Sequence, residues 1–213
     1  KKSGYKESDE LGGYDPYSSS KACAELAIAC YSDSRFQKTA INSRTVHIAS
    51  VRAGNVIGGG DWAVNRIIPD IVRSIVSKKD IVIRSPNATR PWQHVMEPLS
   101  GYLWLGINVF REPEKYASAW NFGPDELEIK TVKNMVDNIL NLWKPKHTRL
   151  IIDEDYSGAE SKLLSLDCAK ARDELKWRNT WSVDEALDAI VHWYKNYYSS
   201  TGVSSYEMVQ KQI

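Results

Sequence analysis

The stretch Thr45-Val46-His47-Ile48-Ala49-Ser50-Val51-Arg52-Ala53-Gly54-Asn55-Val56-Ile57-Gly58-Gly59-Gly60 decides the fold. Its first half is rich in β-branched residues, which suit the extended backbone of a buried strand; its second half is crowded with glycines, which adopt backbone angles other residues avoid. A strand over 45–51 that runs into a glycine-rich loop is predicted. Outward from it, segments of helical period alternate with short β-rich runs, the pattern of an α/β protein. Upstream, Asp15-Pro16 has the form of an N-cap followed by proline at the first helical position, predicting a helix to about residue 36. Downstream, helices are predicted over 67–76 and 98–110, the second with Leu99, Leu103, Ile107 and Phe110 on one face. Thr131 caps a further helix with the stripe Met135, Ile139 and Leu142, and a final helix covers 183–197. Strands are predicted over 81–84, 119–122, 150–152 and 163–166, with a turn at Ser85-Pro86-Asn87. From Gly202 onward the apolar content is low and the chain is expected to fray.

Composition narrows the function classes. The 213 residues carry 28 Lys+Arg against 27 Asp+Glu, a formal net charge of +1, which argues against a nucleic-acid binder driven by bulk charge. With 42% hydrophobic and 26% charged residues the chain is in the globular range. No apolar run approaches the ~20 residues of a membrane span. The three cysteines, Cys23, Cys30 and Cys168, come with no visible secretory segment, which points to a reducing, cytoplasmic compartment and free thiols. Cys23 and Cys30 read as small core residues. The histidines at 47, 94, 147 and 192 have no metal-ligand spacing, so no metal is expected, and His94 reads as a half-buried structural residue. The eight tryptophans are read as packing residues. The chain opens without Met in polar, loop-like sequence and is read as part of a longer polypeptide. No strand, G-x-x-G-x-x-G and helix occurs in it, so the pyrophosphate loop of any dinucleotide site is expected outside it.

Chemistry concentrates at Tyr17-Ser18-Ser19-Ser20-Lys21, where the i to i+4 spacing puts Tyr17 and Lys21 on one helical face. A free phenol, with a pKa of about 10, is a poor base at neutral pH, but a neighbouring ammonium favours the phenolate. Tyr plus Lys is therefore a minimal acid/base unit for moving a hydroxyl proton while a hydride leaves the same carbon. About one such pair is expected by chance in a chain of this composition, so the context has to carry the reading.

That context is specific. The run Gly13-Tyr14-Asp15-Pro16-Tyr17-Ser18-Ser19-Ser20-Lys21 resembles the active-site helix of the extended short-chain dehydrogenase/reductases that act on nucleotide sugars. In the same order as in that family follow Ser50-Val51-Arg52-Ala53-Gly54-Asn55-Val56-Ile57-Gly58, then Arg90-Pro91-Trp92-Gln93-His94-Val95, then Trp120-Asn121-Phe122-Gly123-Pro124. Within the family, residues 50–62 and 90–102 are most similar to the branch that dehydrates CDP-activated hexoses. The resemblance implies the C-terminal portion of a doubly wound Rossmann-type domain plus a smaller α/β substrate-binding domain. Residues 1–62 would belong to the NAD-binding domain, 63–201 mainly to the substrate domain and 202–213 to a tail.

The resemblance also implies NAD as cofactor, a nucleotide-sugar substrate such as CDP-glucose converted to its 4-keto-6-deoxy form in deoxysugar biosynthesis, and a homodimer paired through the Tyr/Lys helix. The small residues Ala22, Ala24, Ala27 and Ala29 would permit that pairing and would equally suit packing on a sheet. Residue by residue, Tyr17 would take the proton of the sugar 4-hydroxyl and Lys21 would tune it while bonding the nicotinamide ribose. Asn55 and Asn121 would contact the substrate, Arg66 would add a basic group near it, and Arg90 would clamp the diphosphate, a task suited to a planar guanidinium fork. The groups acting at C5 and C6 would lie in the half preceding this chain. Structural readings stand beside these: Asn55 with its glycines as a tight turn, Arg90 as a surface ion pair. The sequence departs from many relatives in one place, since no arginine stands in residues 156–162, where Lys162 would be the substitute. The rival functions are a sugar-nucleotide epimerase or decarboxylase of the same family, or a non-catalytic sugar-nucleotide-binding module.

Overall fold

The computed structural model describes residues 4–32, 46–124, 129–153, 165–199 and 204–212. Helix α1, Pro16–Ser32, begins where the sequence signals it. The Asp15 Oδ1 accepts from the backbone N–H groups of Tyr17 and Ser18 at 2.9 and 3.0 Å, satisfying donors that a helix start leaves open. The expected residues 33–36 of this helix lie outside the described residues.

The strand expected at 45–51 is found at Ser50–Ala53 (β1), and Val46 to Ala49 precede it without strand structure. Its partner sets these limits: β1 pairs in parallel with β6, Ala119–Phe122, from Ser50 opposite Ala119 to Ala53 opposite Phe122. A strand exists only where a neighbour takes its hydrogen bonds, and propensity alone does not locate that neighbour. Two more parallel pairs follow: β2, Asn55–Ile57, with β5, Trp92–His94, and β3, Ile81–Ile83, with β8, Leu150–Ile152. A short antiparallel pair joins β4, Thr89–Arg90, to β7, Lys130–Thr131. The expected strand at 163–166 reduces, among the described residues, to a bridge between Leu166 and Tyr5.

Two apolar cores hold these pairs. In the first, α2 (Ile67–Val76), α5 (Val132–Trp143) and α7 (Val183–Tyr198) close around β3 and β5. Helix α2 buries Ile68, Pro69, Ile71, Val72 and Ile75 on one face, each aliphatic side chain worth roughly 1.5–3 kcal/mol of transfer from water. Thr131 caps α5 by accepting from the Asn134 N–H, as its sequence predicts, and Met135 and Ile139 face inward. Ser182 and Glu185 form a reciprocal capping box on α7.

The second core lies on β6, where Trp120 and Phe122 meet Leu105, Tyr116 of the short helix α4 (Pro113–Tyr116), Ala171 of α6 (Ala169–Asp173), Leu175 and Trp177. Helix α3, Met96–Arg111, docks there through Gly101, where a methyl group would stand 2.4 Å from Phe122 Cδ1. The buried Glu97 carboxylate anchors the same helix by accepting from the Thr180 and Trp181 N–H groups, both at 2.9 Å. The predicted apolar stripe of α3 is thus its outer face: Leu103 is 74% exposed and Phe110 89%, with Leu99 and Ile107 also open. The helix is apolar on two sides, and periodicity could not say which side meets β6.

Three further expectations are corrected. Cys23 and Cys30 are exposed and not core residues, because α1 buries none of its side chains; Cys168 is buried. His94 is fully buried rather than half-buried. The tail beyond Gly202 is not frayed throughout: Ser205–Gln210 form helix α8, with a capping box between Ser204 and Glu207 and Met208 buried against the first core.

Candidate active site

A cleft of about 750 Å3 opens where β2 and β3 end, the side of a parallel sheet on which α/β proteins bind ligands. Tyr17, Asn55, Arg66 and Arg90 all line it. Four residues up to 73 positions apart in sequence are therefore brought together, by three identifiable backbone devices.

Gly54 makes the first device. A methyl group on it would stand 2.6 Å from Pro91 Cγ and 2.7 Å from the Pro91 carbonyl oxygen, so only glycine lets the chain between β1 and β2 touch the segment that carries Arg90. The parallel register then sets Asn55 opposite Trp92, two residues from Arg90. The Arg90 guanidinium Nη1 donates to the Thr89 carbonyl at 2.8 Å.

The glycine turn after β2 is the second device. A methyl on Gly59 would stand 2.4 Å from Trp193 Cγ, and Gly60 has φ +77, the left-handed region that favours glycine. The Trp193 indole from α7 lies on this turn, stacked on Tyr197 at 5.5 Å with ring planes 9° apart, and Trp62 packs on Tyr194 and Tyr197. The Tyr194 hydroxyl donates to the Asp61 carbonyl at 2.6 Å, and burial pushes that phenol up to about 12. Arg73 donates to the Trp62 and Ala63 carbonyls, both at 3.1 Å. This brace delivers Arg66 to the start of α2, where it pairs with Asp61 at 3.3 Å.

The third device is the Asp15 cap, which places Tyr17 in the first turn of α1. Tyr17 is 72% exposed, at the open edge of the cleft. The Lys21 ammonium lies 5.5 Å from the centroid of the Tyr17 ring, and Lys21 does not line the cleft.

Asn121 stands apart. It is buried within β6, where its Nδ2 donates to the carbonyls of Tyr5 and Asp167 at 2.9 and 3.1 Å and its backbone N–H to Glu7 Oε1 at 2.8 Å. Its position here is that of a clasp on the segment containing Tyr5. His94 accepts weakly from the Met96 N–H, packs against Trp181 at 4.8 Å with the ring planes tilted by 44°, and is held by burial at about 4, so it is neutral at physiological pH. Residues 156–162 with Lys162, read as the far wall, lie outside the described residues.

The sequence reading missed Arg84. It follows β3 directly and lines the cleft with Arg66 and Arg90, giving three guanidinium groups around one opening, with Asp61 and Asp70 also on its wall. A basic residue at the carboxyl end of a predicted strand was the available signal. Among the described residues no group of three or more His, Cys, Asp or Glu could hold a metal, and no helix is long and apolar enough to cross a membrane.

Parallel β-pairs under helices, with a Tyr/Lys helix beside a cleft at the strand ends, define a Rossmann-type α/β protein of the short-chain dehydrogenase/reductase class. The solved structures it resembles have this fold. One is a dTDP-glucose 4,6-dehydratase from Streptomyces venezuelae with NAD and TYD bound (TM-score 0.72, 19% identity, covering 92% of this chain and 56% of that one). Another is a UDP-glucose-4-epimerase from Stenotrophomonas maltophila with bound NAD (TM-score 0.74, 15% identity, 92% and 60%). In sequence, the chain is 46% identical over 192 residues to the CDP-glucose 4,6-dehydratase of Salmonella typhimurium, covering 90% of this chain and 53% of that protein. The chain belongs to the GDP-mannose 4,6 dehydratase family, whose sequence pattern matches residues 1–190. It spans about half the length of the curated relative it matches.

Proposed function

We propose that these residues form the Tyr/Lys helix and substrate-binding part of an NAD-dependent enzyme that removes water across C5 and C6 of a nucleotide-activated hexose, with CDP-glucose as substrate. The observation that carries this reading is the convergence of Tyr17, Asn55, Arg66 and Arg90 on one cleft. A binding module would need the arginines and the asparagine but has no use for a phenol beside an ammonium at the cleft's edge.

In this reading the guanidinium groups of Arg90 and Arg66 hold the diphosphate, each offering a planar set of N–H donors to phosphate oxygens, and Arg84 adds a third charge. Asn55 bonds the substrate next to it. The phenol of Tyr17 stands over the hexose and takes the proton of the 4-hydroxyl as that carbon is oxidised. The resulting ketone acidifies the C5 proton, which permits loss of the 6-hydroxyl as water and leads to a 4-keto-6-deoxy sugar nucleotide. The chemistry of the open edge fits the implied cofactor: Lys21 carries three N–H donors and Tyr17 a hydroxyl, side by side and accessible to a ribose. Lys21 would hold the nicotinamide ribose. NAD+, when bound, would supply the acceptor for the C4 hydride and, once reduced, the donor that returns it to C6 after water is lost while C5 regains a proton, so the overall change is loss of one water with no net oxidation.

The reading includes residues 1–62 as part of the NAD-binding domain, 63–201 as mainly substrate domain, and a homodimer through α1. The exposed faces of Ala24, Ala27 and Ala29 are consistent with that dimer. The experiment is product analysis: the full-length protein with NAD+ and CDP-glucose is expected to yield a CDP-sugar lighter by one water. An isomer of unchanged mass would favour an epimerase, and unaltered CDP-glucose under conditions where it binds would favour a binding module.

A further inference from the structure

Helix α1 carries Tyr17 and Lys21, yet none of its residues is fully buried. Three side-chain hydrogen bonds run from β1 to the carboxylate of Glu25 on α1. Arg52 Nε donates to Oε1 at 2.9 Å, while Arg52 Nη2 and Ser50 Oγ donate to Oε2 at 2.8 and 3.0 Å. The side chains of Arg52 and Glu25 are 22% and 17% exposed, so the pair is largely shielded from water. Arg52 is held in turn: its Nη1 donates to the Glu7 carbonyl at 3.3 Å, and the Glu7 carboxylate accepts from the backbone of Asn121, the residue opposite Arg52 in the strand register. The guanidinium keeps the Glu25 carboxyl below the usual carboxylate range, so the pair is charged at neutral pH.

Glu25 is four residues beyond Lys21 and eight beyond Tyr17, so the three lie along one stripe of the helix. A two-pronged carboxylate–guanidinium contact fixes both the slide and the roll of α1 on β1, which a single hydrogen bond cannot do. The strand it grips leads within three residues to Asn55 at the cleft.

We propose that Glu25 and Arg52 are positioning residues for proton transfer at Tyr17: their bidentate pair sets where α1 sits along β1, and hence where the phenol stands relative to Asn55 and Arg90. The inference rests on the function proposed above. Displacing a reacting group by about 1 Å can cost on the order of 100-fold in rate.

The test uses the full-length protein with NAD+ and CDP-glucose, and turnover expressed per NAD-loaded site. Arg52→Lys, which keeps the charge but offers no fork, and Glu25→Gln, which keeps the shape but loses the charge, are each expected to lower kcat by about 10- to 100-fold, with KM for the sugar within about 3-fold. The kinetic isotope effect from deuterium at C4 should rise in both, because the step at Tyr17 has become limiting. The double variant should be no slower than the worse single one, since the two side chains act as a unit. Ser50→Ala, which removes one bond and no charge, should lower kcat by only about 2- to 5-fold. A merely structural role would reduce the folded fraction while leaving kcat per loaded site and the isotope effect unchanged, and that result would overturn the inference. If instead Tyr17→Phe turns over like the wild type, the underlying function is wrong whatever Arg52→Lys does. If Tyr17→Phe is inactive and Arg52→Lys is not slowed, only the positioning role fails.

Discussion

Replacing Gly59 by alanine adds one methyl group at the place where the cleft's glycine turn meets α7. The added carbon would stand 2.4, 2.7 and 2.9 Å from Cγ, Cδ2 and Cβ of Trp193, distances that no relaxed contact shows. The indole cannot retreat easily, because it is buried, stacked on Tyr197, and met edge-on by Tyr194 at 5.1 Å. Overpacking of this kind costs about 1–3 kcal/mol. At roughly 2–4 °C per kcal/mol for a domain of this size, Tm should fall by about 2–12 °C. Gly106→Ala is the matched control. It lies within α3 with nothing inside 4 Å of the added methyl, so alanine should stabilise by about 0.5–1 kcal/mol and raise Tm slightly. Thermal unfolding followed by tryptophan fluorescence reads both changes. The mechanism is checked by repeating Gly59→Ala in a Trp193→Ala background, where its cost should shrink to less than about 0.5 kcal/mol. Equal Tm for Gly59→Ala and wild type, or a cost undiminished without the indole, would refute the claim that Trp193 holds the turn.

Arg90→Lys exchanges a planar fork for a point charge, and should raise KM for CDP-glucose by about 10- to 100-fold with a smaller change in kcat, as measured by steady-state kinetics. His94 gives a pH prediction. Burial depresses its pKa from the ordinary 6.5 to about 4, so the unfolded chain binds its proton first as the pH falls. The stability contributed by neutral His94 is complete above about pH 6.5 and is lost progressively toward pH 4; denaturant titrations should show His94→Gln to be flatter over that window than the wild type.

Much of the first core was legible because it obeys strong local rules. Residues 67–76 read as a helix and are one, since Ile68, Ile71, Val72 and Ile75 recur at helical spacing, and Thr131 stands where a cap must stand. The candidate cleft was legible through three of the four short motifs, those carrying Tyr17, Asn55 and Arg90, and not from any single pair. What escaped the sequence was orientation. Helix α1 has alanines and serines on every side, so nothing in it revealed that Cys23 and Cys30 face outward. Helix α3 is apolar on opposite faces, and the contacts of Gly101 with Phe122 and of Glu97 with Thr180 and Trp181 select the inner one. The terminal helix was overlooked because one residue, Met208, anchors it, although Ser204-Ser205-Tyr206-Glu207 carries a capping signal. Asn121 illustrates a further limit: a buried asparagine that ties three backbone segments reads, in sequence, the same as one that meets a ligand.

The central claim is that the phenol of Tyr17 takes the hydroxyl proton of a sugar held by Asn55 and Arg90. Tyr17→Phe in the full-length protein tests it by removing one oxygen and nothing else. Turnover of CDP-glucose should fall by about 100- to 10,000-fold, while the dissociation constant for the CDP-sugar, measured by calorimetry, stays within about 3-fold of wild type. Turnover within a few-fold of the wild type would contradict the account.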